Sequence, residues 1–364
     1  MQNSHNDKNQ SELITGALLA GGKSQRMQTD KATLFLAGES LFSRGVRALQ
    51  TVCSEVLIAG DRSDLASAAI PSYADRFPGS SLGGLHTAIL HAANDWVCIL
   101  PCDLPFPSSR LLKKLLQHRA GQDAVIPRTA NGTEPLIGCY HKRVLPIIEQ
   151  QITSNSMRLT DLLNLLNVHY LDPHELPNGW KRALCNLNSR RDLQRLKRST
   201  PVLTFVAHSN TGKTTLVEKL IAELTRRGWS IGALKHDAHR FDIDHPGKDS
   251  WRFTQAGAAI TAISSSEKSA VIHQHELPPT LEQILSPFEG EVDMVLTEGF
   301  KQSSLPKIEV FRQELERKLI CRGEYHDPTL LAFAGNVDLK QNVPTFPLDD
   351  PSPLADFIEE TFLT

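Results

Sequence analysis

No run of about 18 apolar residues occurs anywhere in the 364-residue chain, so no membrane-spanning helix is expected. Neither sign of charge dominates. Against 39 lysines and arginines stand 41 acidic side chains, a net charge of −2, which excludes a whole-molecule field that would draw in nucleic acid or a membrane surface. A local basic groove for phosphates stays open. Cysteine is sparse: the six, at 53, 98, 102, 139, 185 and 321, form no dense framework and read as thiols of a reducing cytoplasm. Cys98 and Cys102 lack the second pair that a zinc site needs, and read as packing residues. The opening residues, MQNSHNDKNQSE, have no apolar core of the signal-peptide kind and are expected to form a disordered leader over 1–12. No internal repeat of short period is present.

What the chain does have is ordinary globular composition, 40% hydrophobic and 22% charged, and a length that suits two domains. Short apolar runs alternate with helical spacing. Leu13–Ala20 reads as a strand ending in a glycine turn, Leu41–Val52 as a helix, and Glu55–Ala59 as a buried strand. Leu82–Ala93 reads as a helix, Trp96–Leu100 as a strand stopped by PCDLPFP, Ser108–His118 as a helix, and Ala124–Ile126 as a strand. Strand–helix alternation implies a parallel, doubly wound sheet that binds ligands at the carboxyl ends of its strands. The basic segment RRDLQRLKRST before Pro201 marks a join, placing one domain at 13–197 and another at 198–364. Beyond it the pattern restarts, with apolar runs at Val202–Ala207, Ser230–Leu234, Ala259–Ile263, Val292–Thr297 and Leu330–Ala334, and a helix at Thr215–Arg227. The expected fold class is therefore α/β, with two doubly wound α/β domains.

The first chemical string is LLAGGKSQRMQTDK. A strand running through Leu19 and Ala20 into Gly21 and Gly22 lets backbone N–H groups approach phosphate oxygens with no Cβ in the way. Lys23, Arg26 and Lys31 add charge for a triphosphate. The plain alternative is a turn with a solvated basic face. Asp103 follows WVCILPC, and a carboxylate at a strand's carboxyl end is placed to hold Mg²⁺; the other role for such a residue is a helix cap.

These residues carry a resemblance. LAGGxSxRMxxDK resembles the signature of the nucleotidyltransferases, and the spacing of Arg26, Met27, Asp30 and Lys31 is most similar to the molybdenum cofactor guanylyltransferase (MobA-type) family. Asp75, in YADRFPGSSLGGL, matches the segment that reads the guanine nucleotide, and Asn186 and Asn188 match a closing N-x-N. The resemblance implies a Rossmann-like nucleotidyltransferase domain, with Arg26, Lys31 and Asp103 as catalytic residues. It further implies Leu19, Ala20, Gly21, Gly22, Lys31, Asp75, Asp103, Asn186 and Asn188 as nucleotide contacts and Asp103 as the Mg²⁺ ligand. Arg128 and Glu134–Leu136 are further candidates for pterin or phosphate contact. Gln28, Ala59 and Ser81 depart from the pattern, where the family usually has glycine, often asparagine, and usually proline.

The second string is TFVAHSNTGKTTLVEKL. Gly212-Lys213-Thr214 between a strand and a helix is a P-loop ending: N–H groups at a helix start wrap phosphates, Lys213 reaches the β/γ oxygens and Thr214 binds Mg²⁺. Ala207 stands where the first glycine usually is, and residues 208–211 contain no glycine. The strings LKHDAHRFDIDHPGKDSWRFTQAGA, VDMVLTEGFK and PKIEVFR resemble the molybdopterin-guanine dinucleotide biosynthesis adapter (MobB-type) family. That likeness implies a P-loop NTPase-like domain contacting GTP through Asn210, Thr211, Gly212, Lys213, Thr214 and Thr215. Thr214 and Glu298 would hold the metal, with Asp242 and Asp244 nearby. Asn336 stands where related sequences often carry aspartate. His236, His239 and His245 lack the spacing of a metal-ligand set and read as loop histidines near an anion. Trp251 reads as a packing anchor.

Together the resemblances imply transfer of GMP from GTP to the molybdenum–molybdopterin cofactor, releasing pyrophosphate, with a fused GTP-binding adapter. Mg²⁺, GTP and molybdopterin are the implied small molecules. Molybdoenzymes, other cofactor-biosynthesis proteins and a second copy of the chain, giving a homodimer, are the expected partners, in the cytoplasm and without nucleic acid or membrane. Two other readings compete: cytidylyl or other nucleotidyl transfer by the first domain, and a non-catalytic GTP-binding scaffold.

Overall fold

The computed structural model describes residues 13–21, 30–36, 38–187, 192, 199–236, 244–275, 277–323, 326–337, 339 and 341–363. Arg26, Gly22, Asn188, Asp242 and His239, singled out above, lie outside the described residues. Two compact units divide the chain, one of residues 1–198 with 222–230 and the other of 199–221 with 231–364.

In the first unit the strands are β1 (Ile14–Leu19), β2 (Phe35–Leu36), β3 (Glu39–Ser40), β4 (Glu55–Ala59), β5 (Ser72–Tyr73), β6 (Trp96–Pro101), β7 (Ala124–Thr129), β8 (Gly132–Thr133), β9 (Gly138–His141) and β10 (Val168–Leu171). Its helices are α1 (Leu41–Gln50), α2 (Ser81–His91), α3 (Ser109–Gln117), α4 (Leu145–Thr153), α5 (Leu159–Leu163) and α6 (Trp180–Ala183). The main sheet runs β10-β7-β9-β6-β1-β4-β5, with β8 on β7 and β2–β3 a separate hairpin. β9 alone among the strands of this path runs against its neighbours, β6 and β7.

Sequence dictates the layering directly. β1, β4 and β6 are near-continuous apolar runs because both faces are covered: Ala17, Leu18, Ile58, Val97 and Ile99 are fully buried. On one face Leu49 of α1 packs with Leu18 and Leu112; on the other Leu85 and Ile89 of α2 pack with Ala17 and Leu57. Full burial of one such side chain stabilises by about 1.5–3 kcal/mol. Helices α1, α2 and α3 each start on a serine. Ser40, Ser80 and Ser108 accept hydrogen bonds from the backbone N–H groups of Ser43, Gly83 and Leu111. Ser81 occupies the first position of α2, where proline is favoured for its fixed φ and serine is tolerated.

The second unit holds β11 (Val202–Ala207), β12 (Ile231–Lys235), β13 (Ile260–Ser264), β14 (Ser269–His273), β15 (Met294–Glu298), β16 (Lys307–Val310), β17 (Leu330–Gly335) and β18 (Thr345–Pro347). Its helical segments are α7 (Lys213–Arg226, within this unit as far as residue 221), α8 (Asp249–Gln255), α9 (Leu281–Leu285) and α10 (Ser352–Ile358). Six strands form a parallel sheet in the order β12-β15-β11-β16-β17-β18. Two expectations change here. The apolar run at 259–263 pairs only with β14 in an antiparallel hairpin and stands outside the main sheet. β16, a strand inside the sheet, was not anticipated, because its sequence KIEV carries two charges.

Those charges are buried and matched. Glu309 accepts hydrogen bonds from the N–H groups of Ile320 (2.5 Å) and Cys321 (2.8 Å). Lys307 reaches Thr329 Oγ1 (2.7 Å) and Asp327 (3.2 Å). Breaking one side of such a buried pair is costly, about 3–5 kcal/mol, because the other charge is stranded.

Candidate nucleotide sites

In the first unit the strand order reverses between β1 and β6: the chain leaves β1 toward β4 on one side, while β6 lies on the other. A crevice forms at such a switch point, beyond the carboxyl ends. Three turns converge there. Cys102 N–H bonds Leu19 O (3.0 Å), joining the exits of β6 and β1, and Ala20 N–H bonds the carbonyl of buried Ala59 (2.9 Å). Gly60, at φ +138°, brings its backbone against Gly21, where a Cβ on Gly60 would meet Gly21 N at 2.6 Å. A Cβ on Gly21 would in turn collide with the Asp75 carboxylate. Glycine is thus required at position 60 by backbone close approach, while at Gly21 it leaves room for the Asp75 carboxylate.

Side chains arm this crevice. Lys31 Nζ pairs with Asp103 Oδ2 at 2.8 Å, both partly exposed. Asp30 caps the short helical turn Lys31–Thr33 by accepting from Ala32 N–H. It is gripped by Arg62 through two bonds of 2.6 and 3.2 Å, and Arg62 also holds Asp64. Asp75 sits beyond β5; burial pushes its carboxyl up, and Thr87 and His86 counter this in part. Its Oδ1 is buried with no hydrogen-bond partner among the described residues, and so is Asn186 Oδ1. Asn186 is brought near by the bond from Leu187 N–H to Asp103 O (3.0 Å). A carboxylate at a strand end, beside an orphaned amide oxygen, is a hard-oxygen donor set that suits Mg²⁺.

Structure therefore groups Leu19, Ala20, Gly21, Lys31, Asp75, Asp103 and Asn186 at one crevice. Arg62 was missed, since one arginine in a loop carries no signal in sequence. Arg128, by contrast, is committed to Asp172 by two bonds of 2.8 and 2.9 Å. Glu134 is half-buried, and burial raises its carboxyl. Ala59 is fully buried and cannot reach a base.

The second unit reverses its strand order at β11, with β15 on one side and β16 on the other. The turn from β11 into α7 needs left-handed backbone twice, at Asn210 (φ 68°) and Gly212 (φ 90°). Asparagine tolerates that region better than other residues with a side chain, which explains how 208–211 turns without glycine. Thr211 is buried, its hydroxyl bonding His208 O at 3.0 Å. Glu298 at the end of β15 accepts from Thr214 Oγ1 (2.8 Å) and pairs with Lys213 Nζ (3.0 Å). Burial works to raise this carboxyl, and the contacts with Lys213 and Thr214 outweigh it, holding Glu298 below the usual carboxylate range. Octahedral Mg²⁺ holds neighbouring oxygens about 2.9 Å apart, so the Thr214–Glu298 pair fits that ion. Thr215 follows, exposed, in the first turn of α7.

Arg312, just past β16, was also missed. Its Nε donates to Thr211 O at 3.0 Å, and its guanidinium lies where a Cβ on Gly212 would point, at 3.4 Å. Asn336 accepts from Gln313 N–H (3.2 Å) and donates to Glu314 (2.5 Å). Asp244 bonds Ser250 Oγ (3.0 Å). His236 stacks on Phe300 with ring centroids 4.4 Å apart. Trp251 is half-buried in α8.

Residues 16–168 match the family model described as MobA-like NTP transferase domain, and residues 202–336 the model described as molybdopterin guanine dinucleotide synthesis protein B. A molybdopterin-guanine dinucleotide biosynthesis adapter protein of Haemophilus influenzae is 37% identical over 160 residues, covering 44% of this chain and 88% of that protein. A probable molybdenum cofactor guanylyltransferase of Carboxydothermus hydrogenoformans is 32% identical over 186 residues, covering 50% of this chain and 94% of that protein. Among solved structures, MobB of Bacillus subtilis is 26% identical, with 44% of this chain and 98% of that one covered, at a TM-score of 0.37.

Proposed function

We propose, for a chain that belongs through its first half to the molybdenum cofactor guanylyltransferase family and through its second to the MobB adapter family, a working division of labour between two nucleotide sites. The chain is a nucleotidyltransferase that transfers GMP from GTP to the molybdopterin cofactor, with an adapter domain fused behind it. We assign the transferase to residues 13–197 and the adapter to 198–364.

The observation that carries the site assignment is the meeting of Gly21, Lys31, Asp75 and Asp103 at one strand-order switch. Backbone N–H groups of the Gly21 turn face the phosphates, and Asp75 takes the guanine. Lys31 and Arg26 offset negative charge as pyrophosphate leaves. Asp103, with Asn186 beside it, would hold Mg²⁺, which when bound polarises the α-phosphate. A terminal phosphate oxygen of molybdopterin attacks the α-phosphorus, the bond to the β-phosphate oxygen breaks, and pyrophosphate carries away the electron pair. Because no side chain needs to become a covalent nucleophile, positioning and charge neutralisation dominate the rate. Arg62 holds Asp30, and through it the turn that presents Lys31, so it acts by positioning.

In the second unit, Asn210–Thr215 would hold the phosphates of GTP, with Thr214 and Glu298 as the Mg²⁺ donors. We also assign a homodimer through this unit, where Ile260, Ile263 and Val271 of the β13–β14 hairpin are exposed apolar side chains. Equilibrium sedimentation of Ile263→Glu tests that assignment: an unchanged mass refutes it. A cytoplasmic setting and molybdoenzyme partners complete the reading, the former resting on the sparse, unpatterned cysteines. The deciding experiment is pyrophosphate release with molybdopterin and each of GTP, CTP, UTP and ATP, on the natural chain and on Asp103→Ala. GTP preference and its loss in the variant are expected; preference for CTP, or an unaffected variant, overturns the reading.

A further inference from the structure

Away from both nucleotide sites, three side chains turn a donor atom toward a common point. One ring nitrogen each of His118 and His169 and one carboxylate oxygen of Glu175 all lie within 4.8 Å of one another. None belongs to a motif singled out in the sequence. They come from three separate pieces of the first unit: His118 closes the carboxyl end of α3, His169 lies in β10, the edge strand of the sheet, and Glu175 follows β10 in a turn.

We propose that His118, His169 and Glu175 form a binding site for a divalent transition metal of the Zn²⁺ class, which clips the β10 edge to the end of α3. Chemistry around each donor supports this. His118 Nδ1 lies 3.0 Å from the carbonyl of Lys114. A carbonyl only accepts, so Nδ1 carries the hydrogen and the neutral ring keeps its lone pair on Nε2. Anchoring of one ring nitrogen on a backbone carbonyl is the usual support behind a metal-bound histidine. His169 Nε2 is buried without a hydrogen-bond partner among the described residues, a polar atom with a coordination position to fill. The two rings lie nearly parallel, 12° apart with centroids at 5.1 Å. Glu175 Oε2 accepts from Asp172 N–H at 3.1 Å, which fixes the carboxylate. The neighbouring Arg128 forms its ion pair with Asp172 and acts on Glu175 only through the longer-range attraction of opposite charges.

Two imidazoles and one carboxylate suit zinc, cobalt, nickel or copper, and leave a fourth position for water. Mg²⁺ prefers oxygen ligands and would not compete here. The 4.8 Å spread exceeds that of closed ligands, so the site tightens as the ion enters.

The test uses the full chain, stripped with chelator and kept in excess Mg²⁺ and GTP so that the nucleotide sites are filled. Titration with ZnCl₂ should give one tight site per chain and a rise in melting temperature. Cobalt substitution should give the intense visible bands of a tetrahedral ion. His118→Gln, His169→Gln and Glu175→Gln should each weaken binding at least about tenfold, whereas His273→Gln/His275→Gln should leave it unchanged. Zinc absorption spectroscopy on the unaltered chain needs no variant, and should report two imidazoles and one carboxylate. Absence of a stoichiometric site, equal binding in the three variants, or a different ligand set overturns the proposal.

Discussion

Replacing Gly21 by alanine tests the crevice at its tightest point. Gly21 does not need a left-handed backbone, so alanine is allowed there on conformational grounds. The new Cβ collides with the Asp75 carboxylate oxygen, while the nearest backbone, Gly60 Cα, is an ordinary 3.6 Å away. Only the end of one side chain has to move, so stability should change by less than about 1 kcal/mol. The carboxylate, however, leaves the place from which it would take guanine. A hydrogen bond to a charged group contributes about 1.5–3 kcal/mol, which converts to a loss of about 10- to 150-fold in kcat/KM for GTP. Pyrophosphate release with molybdopterin as acceptor measures this, with a thermal melt alongside. Asp75→Ala should lose as much, and the double variant little more, because both changes remove one interaction. Gly60→Ala is the contrast: its Cβ meets backbone at 2.6 Å, which cannot swing away, so its melting temperature should fall. Retention of kcat/KM within about twofold in Gly21→Ala, with a folded protein, would refute the placement of the nucleotide against Asp75.

Asp75 also sets a pH dependence. Burial raises its carboxyl in the folded chain, so the folded state holds the proton more tightly than the unfolded. The resulting penalty is fully present above the folded value and is relieved as pH falls through it. Asp75→Asn should therefore raise the melting temperature near neutrality, by a margin that shrinks on acidification; a margin that grows instead would contradict the sign. Lys213→Ala should weaken GTP binding in the second unit by about 10- to 150-fold, read as the loss of one of two sites in a nucleotide titration, and unchanged stoichiometry and affinity reject the P-loop assignment. Arg312→Ala removes the bond to Thr211 O, and faster amide exchange at 208–212 should report a loosened turn while the β11 core stays protected.

Sequence disclosed most where one physical requirement dominates. β1, β4, β6 and β11 are apolar on both faces, so their placement as buried parallel strands was legible within a residue or two. Gly21 and Gly212 announced themselves through their motifs, and the structure supplies the reasons: room for the Asp75 carboxylate at the first and a left-handed backbone at the second. Harder to see were features whose cause lies far away in the chain. β16 carries Lys307 and Glu309, which read as solvent-facing until their distant partners Thr329, Asp327, Ile320 and Cys321 are known. The β13 run has apolar residues yet pairs in a hairpin, because nothing in five residues says which neighbour they will meet. Arg62 acts through Asp30 and Asp64 and Arg312 through Thr211, and a lone arginine has no periodicity to betray it. Asp103 was legible as a carboxylate beyond a strand end and Asp75 only through its family segment, whereas the burial of Asp75 and the pairing of Asp103 with Lys31 depend on residues far off in the chain.

Arg312 and Gln313 are consecutive, yet they bond two different segments of the second unit. The first bonds the turn of the phosphate loop, and the second bonds Asn336 beyond β17. A drift of this two-residue step would be felt at both contacts together. Changes at position 336 and within 208–212 are therefore not free to accumulate independently in descendants of this chain. An engineer who restores aspartate at 336 should screen partners in the phosphate turn in the same library, since either change alone inherits a step tuned to the other.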